Sequence, residues 1–253
     1  MTEHTSPLRC SSLEKSFDGV KALRVRDLEF PVSGITAIVG PNGAGKTTLL
    51  NALTGFVRPD AGTVFLGNRE ITHLPPWRIA RLGVARSFQE MRLVRLVTAL
   101  ENVMLARPNQ RGERLFAALT GIGVAAEEAT NRAKATELLR FVGLLDKTSD
   151  LAGQLSYGQQ KLLSLACCLA GEPRVLLLDE PVAGVHAEVA QEILNLLVRL
   201  AAQGRLVVFV EHDFSAVRRV ADMVVVMDQG SVIAAGRPED VLSRPEVVEA
   251  FVA

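Results

Sequence analysis

Gly40-Pro41-Asn42-Gly43-Ala44-Gly45-Lys46-Thr47-Thr48 satisfies the pattern G-x-x-x-x-G-K-[ST] at every fixed position. The apolar run Ile35-Thr36-Ala37-Ile38-Val39 leads into it, and Thr48-Leu49-Leu50-Asn51-Ala52-Leu53 leaves it with helical character until Gly55. Strand, loop and helix therefore follow one another, which is the context the pattern requires. Glycines at 40, 43 and 45 let the backbone bring its N–H groups close to the oxygens of a phosphate. A helix starting near Gly45 adds the positive end of its dipole, Lys46 adds a point charge for β and γ phosphates, and the Thr47 hydroxyl suits Mg²⁺. Pro41, Asn42, Ala44 and Thr48 complete the loop. The stretch predicts a nucleoside triphosphate site in an α/β fold.

Working outward, the 253 residues are 48% apolar, enough for one substantial core with a smaller subdomain attached. Lys plus Arg and Asp plus Glu both number 28, so no overall basic character points to nucleic acid, and phosphate has to be bound locally. Cys10, Cys167 and Cys168 are an odd number, two of them adjacent in an apolar stretch, which reads as buried thiols in a reducing compartment. The start of the chain carries no apolar signal region, and no apolar run approaches the roughly 18 residues that span a bilayer. These features predict a cytoplasmic location.

Before the loop, Leu8 to Phe17 and Val25 to Phe30 read as strands joined by a turn at Asp18-Gly19, the start of a small antiparallel sheet. Phe17, just upstream of the loop, could stack on a nucleobase or fill the core; its position leaves both open. Thr63 to Gly67 reads as a further strand after the turn Pro59-Asp60-Ala61-Gly62. From Pro76 to Ala170 the chain is mainly helical, with segments at Trp77 to Leu82, Thr98 to Ala106, Glu127 to Phe141 and Ser156 to Ala170. Residues 90–170 are expected to form a helical subdomain within a single domain, 1–253. Its entry, Val84 to Glu90, is a strand ending near Gln89, a side chain able to touch a metal-bound or attacking water or simply to be solvated.

Leu155-Ser156-Tyr157-Gly158-Gln159 opens an apolar helix. Ser156 and Gln159 form a capping box, which accounts for both without a ligand. Gly158 is different, because glycine in a first turn costs about 1 kcal/mol relative to alanine. Close approach of an anion to a helix start would explain it. Val175 to Leu178 is a continuous apolar strand ending in Asp179-Glu180, and Leu206 to Val210 another ending in Glu211-His212-Asp213. Carboxylates at the carboxyl end of a parallel strand lie where open α/β sheets bind ligands. Asp179 can hold Mg²⁺, Glu180 can act as base toward water, and His212 can donate to a γ-phosphate. His4, His73 and His186 have no metal-ligand spacing. A helix over Glu188 to Ala202, strands Asp222 to Met227 and Ser231 to Ala234, and terminal helices opened by Pro238 and Pro245 complete the α/β pattern.

The loop, Gln89, Leu-Ser-Tyr-Gly-Gln, Leu-Leu-Leu-Asp-Glu-Pro and Glu-His-Asp resemble, in order and spacing, the motif set of ABC-type ATPase subunits, over nearly the whole chain. The resemblance implies a P-loop ABC ATPase fold: a mixed sheet core, an antiparallel β subdomain and an inserted helical subdomain. It implies ATP and Mg²⁺ as cofactors. Phe17 is similar to the adenine-stacking aromatic, Gln89 to the glutamine that reaches metal and water, and Ser156, Tyr157, Gly158 and Gln159 to the signature. Asp179 resembles the Mg²⁺-holding aspartate, Glu180 the catalytic base and His212 the switch histidine. Tyr157 stands where a glycine is commoner, and His186 where many members have an aspartate that links two ATP sites.

Phe-Asp-Gly-Val-Lys-Ala-Leu, Ser-Phe-Gln-Glu-Met-Arg-Leu, Pro-Val-Ala-Gly and Gly-Arg-Pro-Glu-Asp-Val-Leu resemble branched-chain amino acid importers, and nearly as well urea and short-chain amide importers. The implied partners are a second ATPase subunit, whose nucleotide the signature covers, and integral membrane permease subunits docking near Gln89 to Leu100. A solute-binding protein takes part indirectly, and the chain is expected on the cytoplasmic face of the membrane. Met91, Leu93, Val94, Leu96 and Val97 would suit an apolar partner. A soluble ABC ATPase is the alternative from another class, though such proteins commonly carry two units or a long coiled-coil insertion.

Overall fold

The computed structural model describes residues 7–87, 92–108 and 124–252. In chain order the strands are β1 (Leu8–Phe17), β2 (Val20–Glu29), β3 (Gly34–Val39), β4 (Ala61–Leu66), β5 (Arg69–Glu70), β6 (Val84–Arg86), β7 (Val175–Asp179), β8 (Leu206–Val210), β9 (Met223–Asp228) and β10 (Ser231–Gly236). Four of them form an antiparallel sheet ordered β2-β1-β4-β5, and six form the central sheet ordered β10-β9-β3-β8-β7-β6. In the central sheet β3, β6, β7, β8 and β9 are parallel, and β10 turns back antiparallel on β9. Mixed pairing is thus confined to one edge.

The β1–β2 turn is made by Asp18 at φ 48° and Gly19 at φ 83°, the pair of positive angles that a two-residue hairpin of matching twist requires. Strand β2 begins at Val20, five residues before the expected Val25. Lys21-Ala22-Leu23-Arg24 has little intrinsic strand preference, and pairing with β1, such as Lys15 with Leu23, carries it into the sheet. The short β5 and the helix after β8 were also not anticipated.

The helices are α1 (Lys46–Leu53), α2 (Pro76–Arg81), α3 (Ala99–Leu105), α4 (Val124–Phe141), α5 (Tyr157–Leu169), α6 (Ala187–Ala202), α7 (Phe214–Val220), α8 (Pro238–Val241) and α9 (Pro245–Val252). Between Ala99 and Leu169 the described elements are helical, including two short 3₁₀ turns. The central sheet separates two cores. On one face Val207 and Phe209 of β8 pack with Leu163 and Ala166 of α5 and with Ile193, Leu197 and Leu200 of α6. On the other, Leu206, Val208 and Val210 meet Leu49, Leu50 and Leu53 of α1, and Leu13, Val25 and Val64 of the antiparallel sheet. Burial on both faces is why these strands read as unbroken apolar runs. Each fully buried leucine or isoleucine contributes about 1.5–3 kcal/mol relative to exposure.

Candidate functional site

Parallel pairing brings the carboxyl ends of β3, β8, β7 and β6 to one edge: Ile38 lies beside Val210, Val210 beside Asp179, and Leu177 beside Arg86. The loop after β3, the carboxylates after β7 and β8, and Ser87 after β6 are therefore neighbours, although up to 173 positions separate Ile38 from Glu211 in sequence. The Glu211 N–H donates to Ile38 O at 3.2 Å, and the Glu180 N–H to Val210 O at 3.1 Å.

In the loop, Gly43 has φ 82° and Gly45 φ 92°. A Cβ on Gly43 would meet open space, so conformation alone selects glycine there. A Cβ on Gly45 would also lie 2.5 Å from Ala22 O, in contact with β2. Lys46 opens α1 and donates from Nζ to Gly40 O at 2.7 Å and Pro41 O at 2.8 Å, folding back under the loop. Burial lowers its pKa, while Glu180 and Asp179 oppose that shift. Thr47, next along the chain, lies close enough to Asp179 to favour its charged form, the smallest of the influences on that carboxyl.

Asp179 is buried, which raises its pKa, and Arg86 acts against that shift from 3.5 Å. Arg86 is anchored in turn on α1 by Asn51 Oδ1 at 2.6 Å and Thr54 Oγ1 at 3.2 Å. Ser87 Oγ accepts from the Asp179 N–H at 3.1 Å. Losing one member of such a buried pair strands the other charge and costs about 3–5 kcal/mol. Glu180 takes φ 49°, a left-handed conformation costing about 1–2 kcal/mol for a residue with a side chain. The Glu211 carboxylate is buried, accepts from the Val182 N–H at 3.2 Å, and has its pKa raised by desolvation. It ties the loop after β7 to the end of β8.

A profile for the family described as ABC transporter matches residues 23–183. The chain belongs to the ABC transporter family. It is 39% identical over 244 residues to a protein of Archaeoglobus fulgidus named probable branched-chain amino acid transport ATP-binding protein LivG, covering 96% of this chain and 94% of that one. Its fold superposes on the ADP conformation of MJ1267, an ATP-binding cassette of an ABC transporter, with TM-score 0.85 and 33% identity, covering 98% and 99% of the two chains. It also matches a dimeric post-hydrolysis state of the ATP-binding cassette MJ0796 bound to ADP and Pi, with TM-score 0.77, 26% identity and 91% and 98% coverage. The present cassette is an ATPase with the P-loop ABC fold.

Within this cassette the residues singled out in the sequence fall into three groups. Gly40 to Thr48, Asp179, Glu180 and His212 share the carboxyl edge of the sheet. His212 is exposed, with 66% of its side chain accessible and Nδ1 3.9 Å from Glu211 Oε2. Asp213 beside it serves as a helix cap, accepting from the Ser215 N–H at 2.8 Å. Ser156 and Gln159 form the capping box: Ser156 Oγ accepts from the Gln159 N–H at 3.3 Å, and Gln159 Oε1 from the Ser156 N–H at 2.9 Å. A Cβ on Gly158 would stand 3.0 Å from Val189 Cγ1 of α6, so close helix packing gives that glycine a reason inside the single chain. The Tyr157 ring lies against the backbone at Gly184. Phe17 is 45% exposed at the end of β1, which removes the core alternative. Gln89 lies outside the described residues, as does Met91.

Two features changed or went unseen. Leu93 is half-buried and packs on the core, whereas Leu96 is 86% exposed and Val94 is exposed beside it, so the apolar segment splits into an inward and an outward side. Lys161, Arg86 and Ser87 received no role from sequence, yet all three contact the Asp179-Glu180 segment. A lysine inside an otherwise apolar buried helix was the available signal for Lys161. The structure also has a cleft of about 860 Å³ lined by Phe56, Trp77, Arg81, Arg86, Cys167 and Pro173 among others, and by no residue of the phosphate loop. No helix among the described residues is long and apolar enough to cross a membrane.

Proposed function

We propose that this cassette powers the import of branched-chain amino acids as one of a pair of ATPase subunits bound to membrane permease subunits on the cytoplasmic face. The observation that carries the catalytic part is the convergence of Lys46, Thr47, Asp179 and Glu180 at one sheet edge. Residues 40–48 grip the triphosphate through backbone N–H groups, and Lys46 exchanges its two carbonyl partners for phosphate oxygens. Thr47 and Asp179 have the hard oxygen donors that suit Mg²⁺, with Gln89 as a further ligand, and the ion would neutralise charge on the phosphates. Glu180 takes the proton of the attacking water, and His212, exposed at the same edge, donates a hydrogen bond to the γ-phosphate.

The signature segment Ser156 to Gln159 is proposed to cover the nucleotide of the second subunit, and Phe17 to stack on the adenine. The solute follows from the name of the LivG relative, a probable branched-chain amino acid transport protein. Residues 90–170 form the proposed helical arm, and the permease docks near Gln89 to Leu100 through Val94 and Leu96, continuing over the exposed Trp77 at the cleft. Leu96→Glu should leave stability and ATPase rate of the isolated chain as they are and prevent co-purification with permease subunits; a variant that still assembles removes Leu96 from the interface.

Glu180→Gln tests the chemistry. ATP binding should persist, turnover should fall by about 10²–10⁴-fold, and size-exclusion chromatography with ATP and Mg²⁺ should show a trapped dimer. A monomer with undiminished turnover would sink the role of Glu180.

A further inference from the structure

Glu180 holds a left-handed backbone that side-chain-bearing residues rarely adopt, and such a conformation persists only where its surroundings over-determine it. Its N–H is fixed by Val210 O. Its carbonyl accepts from two donors, the Ala183 N–H at 3.3 Å and the Lys161 ammonium at 2.8 Å. Lys161 is a residue of α5 with only 8% exposure, near the helix start where Ser156 makes the cap. Three carboxylates, Glu211, Glu180 and Asp179, attract its charge against the effect of burial. Lys46 already supplies the cation of the phosphate loop, so Lys161 is a second buried cation that the nucleotide reading does not use.

A buried ammonium is costly unless paired and hydrogen-bonded, and a leucine would fill an apolar helix face at this position without that cost. The hydrogen bond to Glu180 O is what a leucine could not supply. We propose that Lys161 is a positioning residue for Glu180: by holding the carbonyl it keeps the backbone left-handed and thereby aims the carboxylate toward the attacking water. The proposal rests on the reading of Glu180 as the base. It also joins the opening of α5 to the base of the same chain's own site through one side chain.

The test compares steady-state ATPase kinetics, ATP binding and thermal melting of K161M, K161Q and K161R in the full chain, beside E180Q. Glutamine keeps polarity for a buried site but is one atom shorter than lysine and stops short of the carbonyl. Both K161M and K161Q should lower kcat by about tenfold or more while leaving KM for ATP and ATP binding within about twofold, and K161R should recover much of the rate. In the E180Q background K161M should have no further effect on residual turnover, because the group being aimed is gone. A full rate in folded K161Q, or parallel losses of kcat, ATP binding and melting temperature without rescue by arginine, overturns the positioning role. Undiminished turnover in E180Q removes instead the base on which the proposal depends, so the two failures are told apart.

Discussion

Gly45 and Gly158 stand at the openings of α1 and α5, in two turns that read alike in sequence as places where a backbone approaches an anion. In the structure they answer different demands. Gly45 sits at φ 92° with Ala22 O 2.5 Å from where a Cβ would be, so both conformation and space forbid a side chain. Gly158 lies within regular helix, and its constraint is the Val189 methyl at 3.0 Å. One glycine is required by the shape of its own loop and the other by the helix packed across from it. A flexible or small residue at a helix start therefore does not by itself announce an anion site; what distinguishes the two is whether the backbone is left-handed.

The sharpest way to break that contrast is the pair Gly45→Ala and Gly43→Ala. Gly45→Ala combines the left-handed penalty of about 1–2 kcal/mol with a backbone clash of about 1–3 kcal/mol, and should lower the melting temperature and abolish ATP binding measured by titration. Gly43→Ala meets open space and should cost only the conformational part, about 1–2 kcal/mol, with weakened rather than lost binding. Equal effects at the two positions would mean that the contact with β2 counts for nothing.

The smallest effect is expected at Gly158. Alanine there gains about 1 kcal/mol of helix propensity and loses about 1–3 kcal/mol by crowding Val189, a net loss near 1 kcal/mol, with ATP binding by the isolated chain unaltered. Chemical denaturation of Gly158→Ala, Val189→Ala and the double variant should show coupling of about 1 kcal/mol, because the second change makes room for the first. Additive losses would refute the packing explanation and return Gly158 to the anion reading alone.

The same division runs through the rest of the cassette. Residues 40–48 were legible because their chemistry is carried by consecutive positions between a strand and a helix, and the local backbone rules suffice to read it. The strands ending in Asp179 and Glu211 were legible because burial on both faces leaves unbroken apolar runs. Helix α7 was not: its seven residues bury only Ala216 and Val217 in the core, too short a run for a helical period to show, and only the Asp213 cap marks its start. Leu93 and Leu96 have the same chemistry three positions apart, and nothing local says that one packs inward and the other faces solvent.

By itself, then, the sequence determined the fold class, the phosphate loop and the order in which carboxylates follow buried strands, since each depends on spacing along one stretch of chain. Only the tertiary structure decided which distant groups share a charge or a hydrogen bond: Arg86 with Asp179, 93 positions apart, and Lys161 with the Glu180 carbonyl, 19 positions apart. Those contacts are set by the parallel register of β6, β7, β8 and β3 and by the packing of α5 on the sheet. Buried charges find partners through space, and no local periodicity encodes which partner that will be.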